Sequence, residues 1–417
     1  MTTFLQLALI ISIILLSAKL AGYLSVRLGQ PSVLGELLVG ILLGPSVIDI
    51  LHLHFIDPAL AHTIAELGEL GVLLLMFIAG LELHLDELTR NTRVAAYGGL
   101  LGVLVPTMFG WGAGRLFGMD NAAAIFLGLT LGATSVSISA QTLMELKVLR
   151  SRVGLSLLGA AVFDDILVIL SLSIFLAIQA GTGSISGVLW ILVRMIVFLA
   201  LSVAFGLRVL PWLMRRVAHL PISQGVLSLA LVVMLAYGVA AELLGGMAAI
   251  TGAFIAGLMM ARSGERERVE HSVHALAYGL FVPIFFINIG LSVNARSLQV
   301  EMLWFTLAII LIAIIGKWLG AGLGAKLGGL TWRESIQLGA GMISRGEVGL
   351  IVVGVGISQG LVSSNEFSAI VGMVLVTTLV TPPILRALFA ENKKLKKTTS
   401  EAEKVPDATE PHNEEST

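Results

Sequence analysis

Two adjacent carboxylic acids, Asp164 and Asp165, lie inside the otherwise apolar stretch AAVFDDILVIL (160–170). A charged side chain at the centre of an apolar helix costs roughly 2.5–3.5 kcal/mol on insertion scales, and two neighbouring carboxylates also repel each other. Consecutive helical residues point about 100° apart, so one acid can face a cavity while the other faces a neighbouring helix. Such a pair can exchange a proton for a metal cation, and we predict that Asp164 and Asp165 bind protons and a cation in turn.

One lysine, Lys317 in AIIGKWLGAG (313–322), also lies far from the ends of an apolar segment. Its natural partner is one of the two aspartates, with which it would form a buried ion pair. Such a pair suits a switch, because a cation or proton on the aspartate would release the lysine. The alternative is a lysine whose stem extends to the membrane surface and keeps its ammonium in water.

A third group of polar residues is the hydroxyl run in GATSVSIS (132–139), with Thr134, Ser135 and Ser137. Short hydroxyls beside a glycine suit an unwound helix, where hydroxyls and freed carbonyls can coordinate a small hard cation. The alternative is a continuous helix in which each hydroxyl bonds back to a carbonyl of the preceding turn.

A fourth group lies in SRGEVG (344–349), where Gly346 would permit a second break between Arg345 and Glu347. These two charged residues could neutralise each other or the ends of broken helices. A purely structural role is as well supported for them as a role in transport.

The composition predicts a membrane protein: 56% of the 417 residues are hydrophobic and only 13% are charged, against about 25% charged in soluble domains. The formal net charge of −1 gives no indication of nucleic acid as a partner, and the absence of cysteine excludes disulfides and thiolate chemistry. No phosphate-binding G-x-x-x-x-G-K-[ST] loop occurs, and we expect neither ATP-driven transport nor any cofactor.

Thirteen apolar segments are candidate membrane spans, since about 20 apolar residues cross a bilayer as a helix. They cover about 4–26, 33–50, 64–83, 94–117, 122–146, 152–179, 187–209, 223–243, 247–261, 273–292, 299–325, 333–358 and 364–388. We read the first span as retained, because it lacks a basic region and a cleavage site of the signal-peptide type.

Most lysines and arginines fall in every second connection between these spans, which by the positive-inside rule is cytoplasmic. The basic connections contain Arg27; Arg90 and Arg93; Lys147, Arg150 and Arg152; Arg215 and Arg216; Arg262, Arg266 and Arg268; Lys326 and Arg333; and Lys393, Lys394, Lys396 and Lys397. Thirteen spans then place the N-terminus outside and the C-terminus in the cytoplasm. Residues 389–417 are polar and predict a disordered cytoplasmic tail.

Three pairs of short matches, separated by 210 to 217 residues, indicate an internal repeat. They are GELLVG (35–40) with GAFIAG (252–257), MFIAGLEL (76–83) with FINIGLSV (286–293), and LGATSVS (131–137) with GMISRGE (341–347). Matching spans differ by seven, an odd number, so the repeats are inverted. Inverted repeats are typical of secondary transporters, whose sites lie near the bilayer midplane.

Five stretches together resemble the bacterial monovalent cation:proton antiporters of the NapA and KefC type. They are GQPSVLGELLVGILLGP (29–45), ATSVSIS (133–139), GAAVFDDILVI (159–169), FVPIFFINIGL (281–291) and GMISRGEVGLI (341–351). The resemblance covers about residues 4–388. It implies an all-α polytopic membrane protein of about thirteen helices, with two inverted repeats and two broken, crossed helices. It also implies homodimers and elevator-like alternating access.

The resemblance further implies a division into a dimerisation bundle (about 4–60 and 187–270) and a mobile core bundle (about 64–179 and 273–388). The membrane domain as a whole would cover residues 1–388 of a chain in the bacterial inner membrane.

By the same resemblance, Asp165 matches the essential ion-binding acid, and Asp164 matches the acid that pairs with the core lysine, here Lys317. Thr134 and Ser135 match the unwound stretch of the first broken helix, and Arg345 and Glu347 match the polar pair of the second.

The gated potassium-efflux members of the family usually carry Gln at position 164 and add a large nucleotide-binding domain, for which residues 389–417 are too short. We therefore expect a secondary Na+(Li+)/H+ antiporter and not an enzyme, electrogenic and with two protons exchanged per cation. A K+/H+ antiporter on the same scaffold and a non-antiport channel or sensor remain the alternatives.

Overall fold

The helices account for all regular secondary structure in the described part of the computed structural model. The described residues are 2–82, 91–179, 185–292, 296, 302–346, 348–349, 352–353, 356 and 359–402. In chain order the helices are α1 (Thr3–Arg27), α2 (Ser32–Leu43), α3 (Ala59–Leu81), α4 (Thr92–Leu116), α5 (Asn121–Gly132), α6 (Ser137–Glu145), α7 (Arg152–Gln179), α8 (Ile185–Arg208), α9 (Leu210–Ala218), α10 (Gly225–Ala240), α11 (Ala249–Met260), α12 (Arg266–Leu276), α13 (Val282–Leu291), α14 (Leu303–Gly328), α15 (Trp332–Gly341) and α16 (Ser364–Ala402). Short π-helical turns extend α10 (Ala241–Gly245) and join α12 to α13 (Ala277–Phe281).

Within the described ranges, ten helical spans are long and apolar enough to cross a membrane, and α2 and α11 are shorter apolar helices. The expectation of an all-helical, multi-pass membrane protein is thereby confirmed. The count of thirteen stays a prediction, because part of the predicted span 333–358 lies outside the described residues.

Two helical segments are interrupted, at the positions where the sequence carries its hydroxyl and Arg-Gly motifs. Residues 133–136 are not helical between α5 and α6, and residues 342–345 are not helical after α15. Gly346 has a φ of +39°, in the region that favours glycine. A Cβ at Gly346 would lie 2.6 Å from Ser135 Oγ, so a side chain there would collide with the other break.

Each interrupted segment begins at a side-chain cap that satisfies free amide groups of the first turn. Asp120 accepts a hydrogen bond from the Ala123 amide at the start of α5 (2.6 Å). Thr331 and Glu334 form a reciprocal capping box at the start of α15. These caps determine where α5 and α15 begin. They thereby also determine the position of the polar residues that follow the C-terminal end of each helix.

Glycines at every fourth residue of α14 bring this helix into backbone contact with α4. A Cβ at Gly324 would lie 2.1 Å from the Tyr97 carbonyl oxygen, and one at Gly320 would lie 2.4 Å from that of Leu101. The same kind of contact joins α4 to α7, since a Cβ at Gly99 would lie 2.8 Å from the Ala160 carbonyl oxygen. Helices α4, α7 and α14 therefore form one tightly packed group.

A second tightly packed group contains α2, α3, α11 and α13. A Cβ at Gly40 of α2 would lie 2.5 Å from the Ile287 carbonyl oxygen of α13. A Cβ at Gly80 of α3 would lie 2.1 Å from the Phe254 carbonyl oxygen of α11.

This packing differs from the predicted bundle boundaries. The ranges 64–179 and 273–388 place α3 and α13 in the core bundle, whereas their glycine-mediated contacts join them to α11 and α2 of the other bundle. Sequence order does not reveal which helices approach through glycine, and the division into two bundles stays a prediction. A division near residues 91 and 302 fits the contacts.

The last helix also extends beyond the predicted boundary of the membrane domain. Helix α16 runs to Ala402 and so includes the first fourteen residues of the predicted tail, 389–402. Its polar end follows the apolar segment without a helix-breaking residue, since Pro382 and Pro383 lie well before it. The rest of the predicted tail, 403–417, lies outside the described residues.

Candidate ion-binding site

The centre of the site is an ion pair between α7 and α14. Lys317 Nζ lies 2.5 Å from Asp164 Oδ1, and both side chains are completely buried. The same ammonium donates a 2.7 Å hydrogen bond to the Gly132 carbonyl oxygen, at the end of α5. Lys317 therefore connects the buried acid to the first helix break, and it does not extend to the surface.

The ion pair engages only one of the two Asp164 carboxylate oxygens, Oδ1. Oδ2 is buried and accepts no hydrogen bond from any described residue. A buried polar atom without a partner costs about 1–3 kcal/mol, and more when its group is charged. The arrangement thus supplies an acceptor oxygen whose energy would fall on binding a proton or a cation.

Arg345 adds a second buried cation at the same helix end. It is fully buried, and it donates from Nη1 to the Ala133 carbonyl oxygen (2.6 Å) and from Nη2 to that of Ala313 on α14 (2.9 Å). Positive charge at the C-terminus of a helix complements the helix dipole. Lys317 and Arg345 together satisfy two consecutive carbonyls where α5 stops.

Asp165 occupies a different environment from Asp164. It is half-buried, and its Oδ2 accepts a 2.9 Å hydrogen bond from the Thr251 hydroxyl. Thr251 is 3% exposed and belongs to α11, in the other packed group. The two adjacent acids therefore face different sides of α7, one toward the buried lysine and one toward the interface between the groups.

The hydroxyl run is only partly unwound. Thr134 and Ser135 lie in the break, whereas Ser137 begins α6. Ser135 Oγ lies 3.0 Å from Ser137 Oγ, and the Ser135 amide donates to the Ser344 carbonyl oxygen of the second break (2.9 Å). Thr134 Oγ1 is buried and has no hydrogen-bond partner among the described residues.

A further hydroxyl also joins the two breaks, since Ser139 Oγ donates a 2.5 Å hydrogen bond to the Gly341 carbonyl oxygen. The structure therefore brings Arg345 and both breaks together. Glu347, the partner predicted for Arg345, lies outside the described residues.

Thr251 is the residue that sequence reasoning missed. It precedes the glycine of GAFIAG (252–257), which was noted only as part of the repeat. A single threonine near the start of a short apolar helix carries no signal of its own, because its relevance depends on a helix 86 positions away along the chain.

Carboxylates, hydroxyls and free carbonyls are the ligands that hard cations prefer. Here such groups lie beside the buried side chains of Lys317 and Arg345. The arrangement is therefore suited to binding a small hard cation or protons.

Comparison with known proteins agrees with this chemistry. The family model described as "Sodium/hydrogen exchanger, transmembrane" matches residues 13–391. The chain belongs to the sodium/hydrogen exchanger family. It is therefore a transporter and not an enzyme, and the resemblance to cation:proton antiporters is confirmed.

Relatives of this exchanger-family chain carry antiporter names. It is 42% identical over 387 residues to the Na(+)/H(+)-K(+) antiporter GerN of Bacillus cereus, covering 93% of this chain and 97% of the relative. It is 36% identical over 379 residues to a Na(+)/H(+) antiporter of Enterococcus hirae, covering 90% and 96%.

Among solved structures, the sodium proton antiporter MjNhaP1 of Methanocaldococcus jannaschii superposes with a TM-score of 0.66 at 17% identity. That alignment covers 93% of this chain and 98% of the other, and it supports the fold.

Proposed function

We propose that this protein is a secondary Na+(Li+)/H+ antiporter that moves the cation out of the cytoplasm in exchange for external protons. The observation that carries the proposal is the fully buried Asp164–Lys317 ion pair beside the half-buried Asp165, at the junction of two broken helices. A buried pair of this kind is weak support for stability, so its presence favours a functional explanation.

In this proposal Asp165 is the principal ligand, which takes either a proton or a cation. Thr134 and Ser135 in the first break, and Ser137 just after it, supply additional oxygens. Arg345 holds the end of α5 in place and keeps its carbonyls from competing for the cation, and Glu347 is expected to balance its charge.

Lys317 acts as the switch. While the site holds no cation, its ammonium neutralises Asp164; when Asp164 takes a cation, the lysine is released and loses its proton. Lys317 then gives up one proton, and Asp165, which exchanges its own proton for the cation, gives up the second, so two protons move per monovalent cation and the exchange is electrogenic. The membrane potential would then drive transport by about 2.3 kcal/mol per charge at 100 mV.

Obligatory exchange follows from the energy of moving charge through an apolar barrier. A site loaded with protons or with a cation can cross between the two faces, whereas an unloaded site with its exposed carboxylate charge is held back. We propose elevator-type movement of the group around α4, α7 and α14 against the group around α2, α3, α11 and α13.

The finer architecture belongs to the same proposal: thirteen spans in two inverted repeats, a homodimer formed through the second group, an external N-terminus and a cytoplasmic C-terminus in the bacterial cell membrane. The alternation of basic connections supports this orientation.

Exchange of K+ for H+ is the second candidate, and the name of the GerN relative, which includes K+, favours testing it. The experiment is an ion series in proteoliposomes that contain the purified protein, with Na+, Li+ and K+ added in turn at several pH values and dequenching of a pH dye as the readout. Responses to Na+ and Li+ that exceed the response to K+ support the proposal. Activity with K+ and none with Na+ would overturn the choice of cation.

A channel or non-transporting sensor on this scaffold is distinguished by a different measurement. A channel would show unitary conductance in planar bilayers without proton counterflow, and a sensor would show neither. We expect cation-driven proton movement without unitary currents.

A further inference from the structure

The hydrogen bond between Thr251 and Asp165 connects the two packed groups at the ion site itself. Thr251 lies in the first turn of α11, whose backbone contacts α3 through Gly80. Asp165 lies on α7, whose backbone contacts α4 through Gly99. Any sliding of one group past the other must therefore break or rearrange this 2.9 Å bond.

The direction of the bond determines which form of the acid it favours. A threonine hydroxyl that donates into a carboxylate oxygen stabilises the ionised acid, and bonds to charged groups are stronger than neutral ones. A proton on Oδ2, or a cation bound to it, competes for the same oxygen. The bond is therefore strongest when Asp165 carries neither.

The Thr251 hydroxyl is buried and held in a fixed position at the interface between the two groups. Its side chain is 3% exposed, and the amide of Thr251 bonds to the Ala248 carbonyl oxygen (3.0 Å), which fixes the turn. The nearby Lys317 is engaged with Asp164 and Gly132 on a different side of α7. Asp165 thus has a neutral hydroxyl from the opposite group as a partner.

We infer that Thr251 is a positioning residue that tethers the unloaded, ionised Asp165 to the opposite helix group. The hydrogen bond opposes movement of the unloaded site between the two membrane faces until a proton or a cation displaces the hydroxyl. It thereby strengthens the coupling of cation transport to proton transport. The inference rests on the proposed role of Asp165 as the ion-binding acid.

Two readouts in proteoliposomes test the tether. The first is the apparent KM for Na+, because the hydroxyl competes with the cation. The second is the steady-state Na+ gradient that an imposed pH gradient sustains. This Na+ gradient falls when transporters change conformation without a bound ion. We expect Thr251→Val to lower the apparent KM about tenfold, equivalent to about 1.4 kcal/mol, and to reduce the sustained gradient by about half or more.

Matched variants separate the tether from a structural role. Thr251→Ser keeps the hydroxyl and is expected to retain the wild-type KM and gradient, and Thr251→Ala repeats the loss if the valine variant does not fold. Thr306→Val removes another buried hydroxyl, one that bonds to the Met302 carbonyl of its own helix, and should change neither readout.

Unchanged KM and gradient in Thr251→Val and Thr251→Ala would overturn the inference. It would also be overturned if these variants and Thr251→Ser all lost transport rate without a change in KM or gradient. Asp165→Asn is measured alongside. If it transports normally, the proposed function fails; if it is inactive while Thr251→Val behaves as wild type, only the tether fails.

Discussion

At the scale of single residues, the residue pattern alone allowed Lys317 to pair with either aspartate, because both lie within one helical turn. The family resemblance assigned it to Asp164, and nothing indicated a partner for Asp165. The structure pairs it with Asp164 and gives Asp165 the Thr251 hydroxyl. The choice depends on the rotation of α7 between α14 and α11, which tertiary packing determines and a local sequence pattern does not.

Removal of one member of the buried pair is predicted to destabilise the protein more than removal of both. Lys317→Gln leaves Asp164 as an uncompensated buried charge, at a cost of about 3–5 kcal/mol in the free energy of unfolding. The double variant Asp164→Asn/Lys317→Gln has no buried charge at this point and should regain most of that loss. Thermal unfolding in detergent checks the difference, which would be absent if the pair were exposed to water.

The same Lys317→Gln variant tests the switch. We expect transport that remains in this variant to lose its dependence on membrane potential, because the lysine no longer carries a charge through the cycle. Proteoliposomes with an imposed potassium diffusion potential provide the measurement. Transport and voltage dependence both equal to wild type would contradict the role of Lys317.

Glu82, just beyond the end of α3, is predicted to make stability depend on pH. Burial and the nearby Glu270 raise the pKa of its carboxyl, against the opposing effects of Arg150 and Arg266. Because the folded pKa lies above the unfolded one, the folded state retains the proton longer, and stability falls as pH rises through this window.

We expect Glu82→Gln to be more stable relative to wild type at about pH 8 than at about pH 4, because the variant does not lose the stability that wild type loses as pH rises through the titration of Glu82. Thermal unfolding in detergent at the two pH values measures this. A variant that gains no stability relative to wild type between the lower and the higher pH would contradict this prediction.

At the scale of elements, both helix interruptions were predictable because their cause is local. GATSVS and GMISRG place glycine and hydroxyl residues together in apolar segments, and α5 and α15 end at the first glycine of each motif. The assignment of α3 and α13 was not predictable, because contact between helices through glycine depends on which distant segment presents a matching surface.

Close packing between α4 and α14 is predicted to be sensitive to a single methyl group. Gly324→Ala would place Cβ 2.1 Å from the Tyr97 carbonyl oxygen, so the helices must move apart, at a cost of about 1–3 kcal/mol. Gly112→Ala on α4 is the matched control, since a Cβ there meets nothing within 4 Å, and it should be neutral or slightly stabilising. Thermal unfolding compares the two, and equal effects would contradict the close approach.

At the scale of the whole molecule, the apolar spans were the most readable feature, because the bilayer demands about 20 apolar residues per crossing. The relation between the two helix groups could not be predicted from the sequence, since it depends on contacts between distant segments, such as that of Thr251 with Asp165. We propose that cation and proton compete for Asp165 at the boundary between the two groups, and that transport requires this acid.

The most direct test is Na+-driven pH change by Asp165→Asn in proteoliposomes. Asparagine keeps the shape of the side chain and removes its charge and its exchangeable proton. Asp57→Asn is the control, because Asp57 lies in a connection, where its side chain accepts a hydrogen bond from the Ala59 amide. We predict no Na+-driven pH change with Asp165→Asn and a wild-type response with Asp57→Asn. A wild-type response from Asp165→Asn would contradict the account.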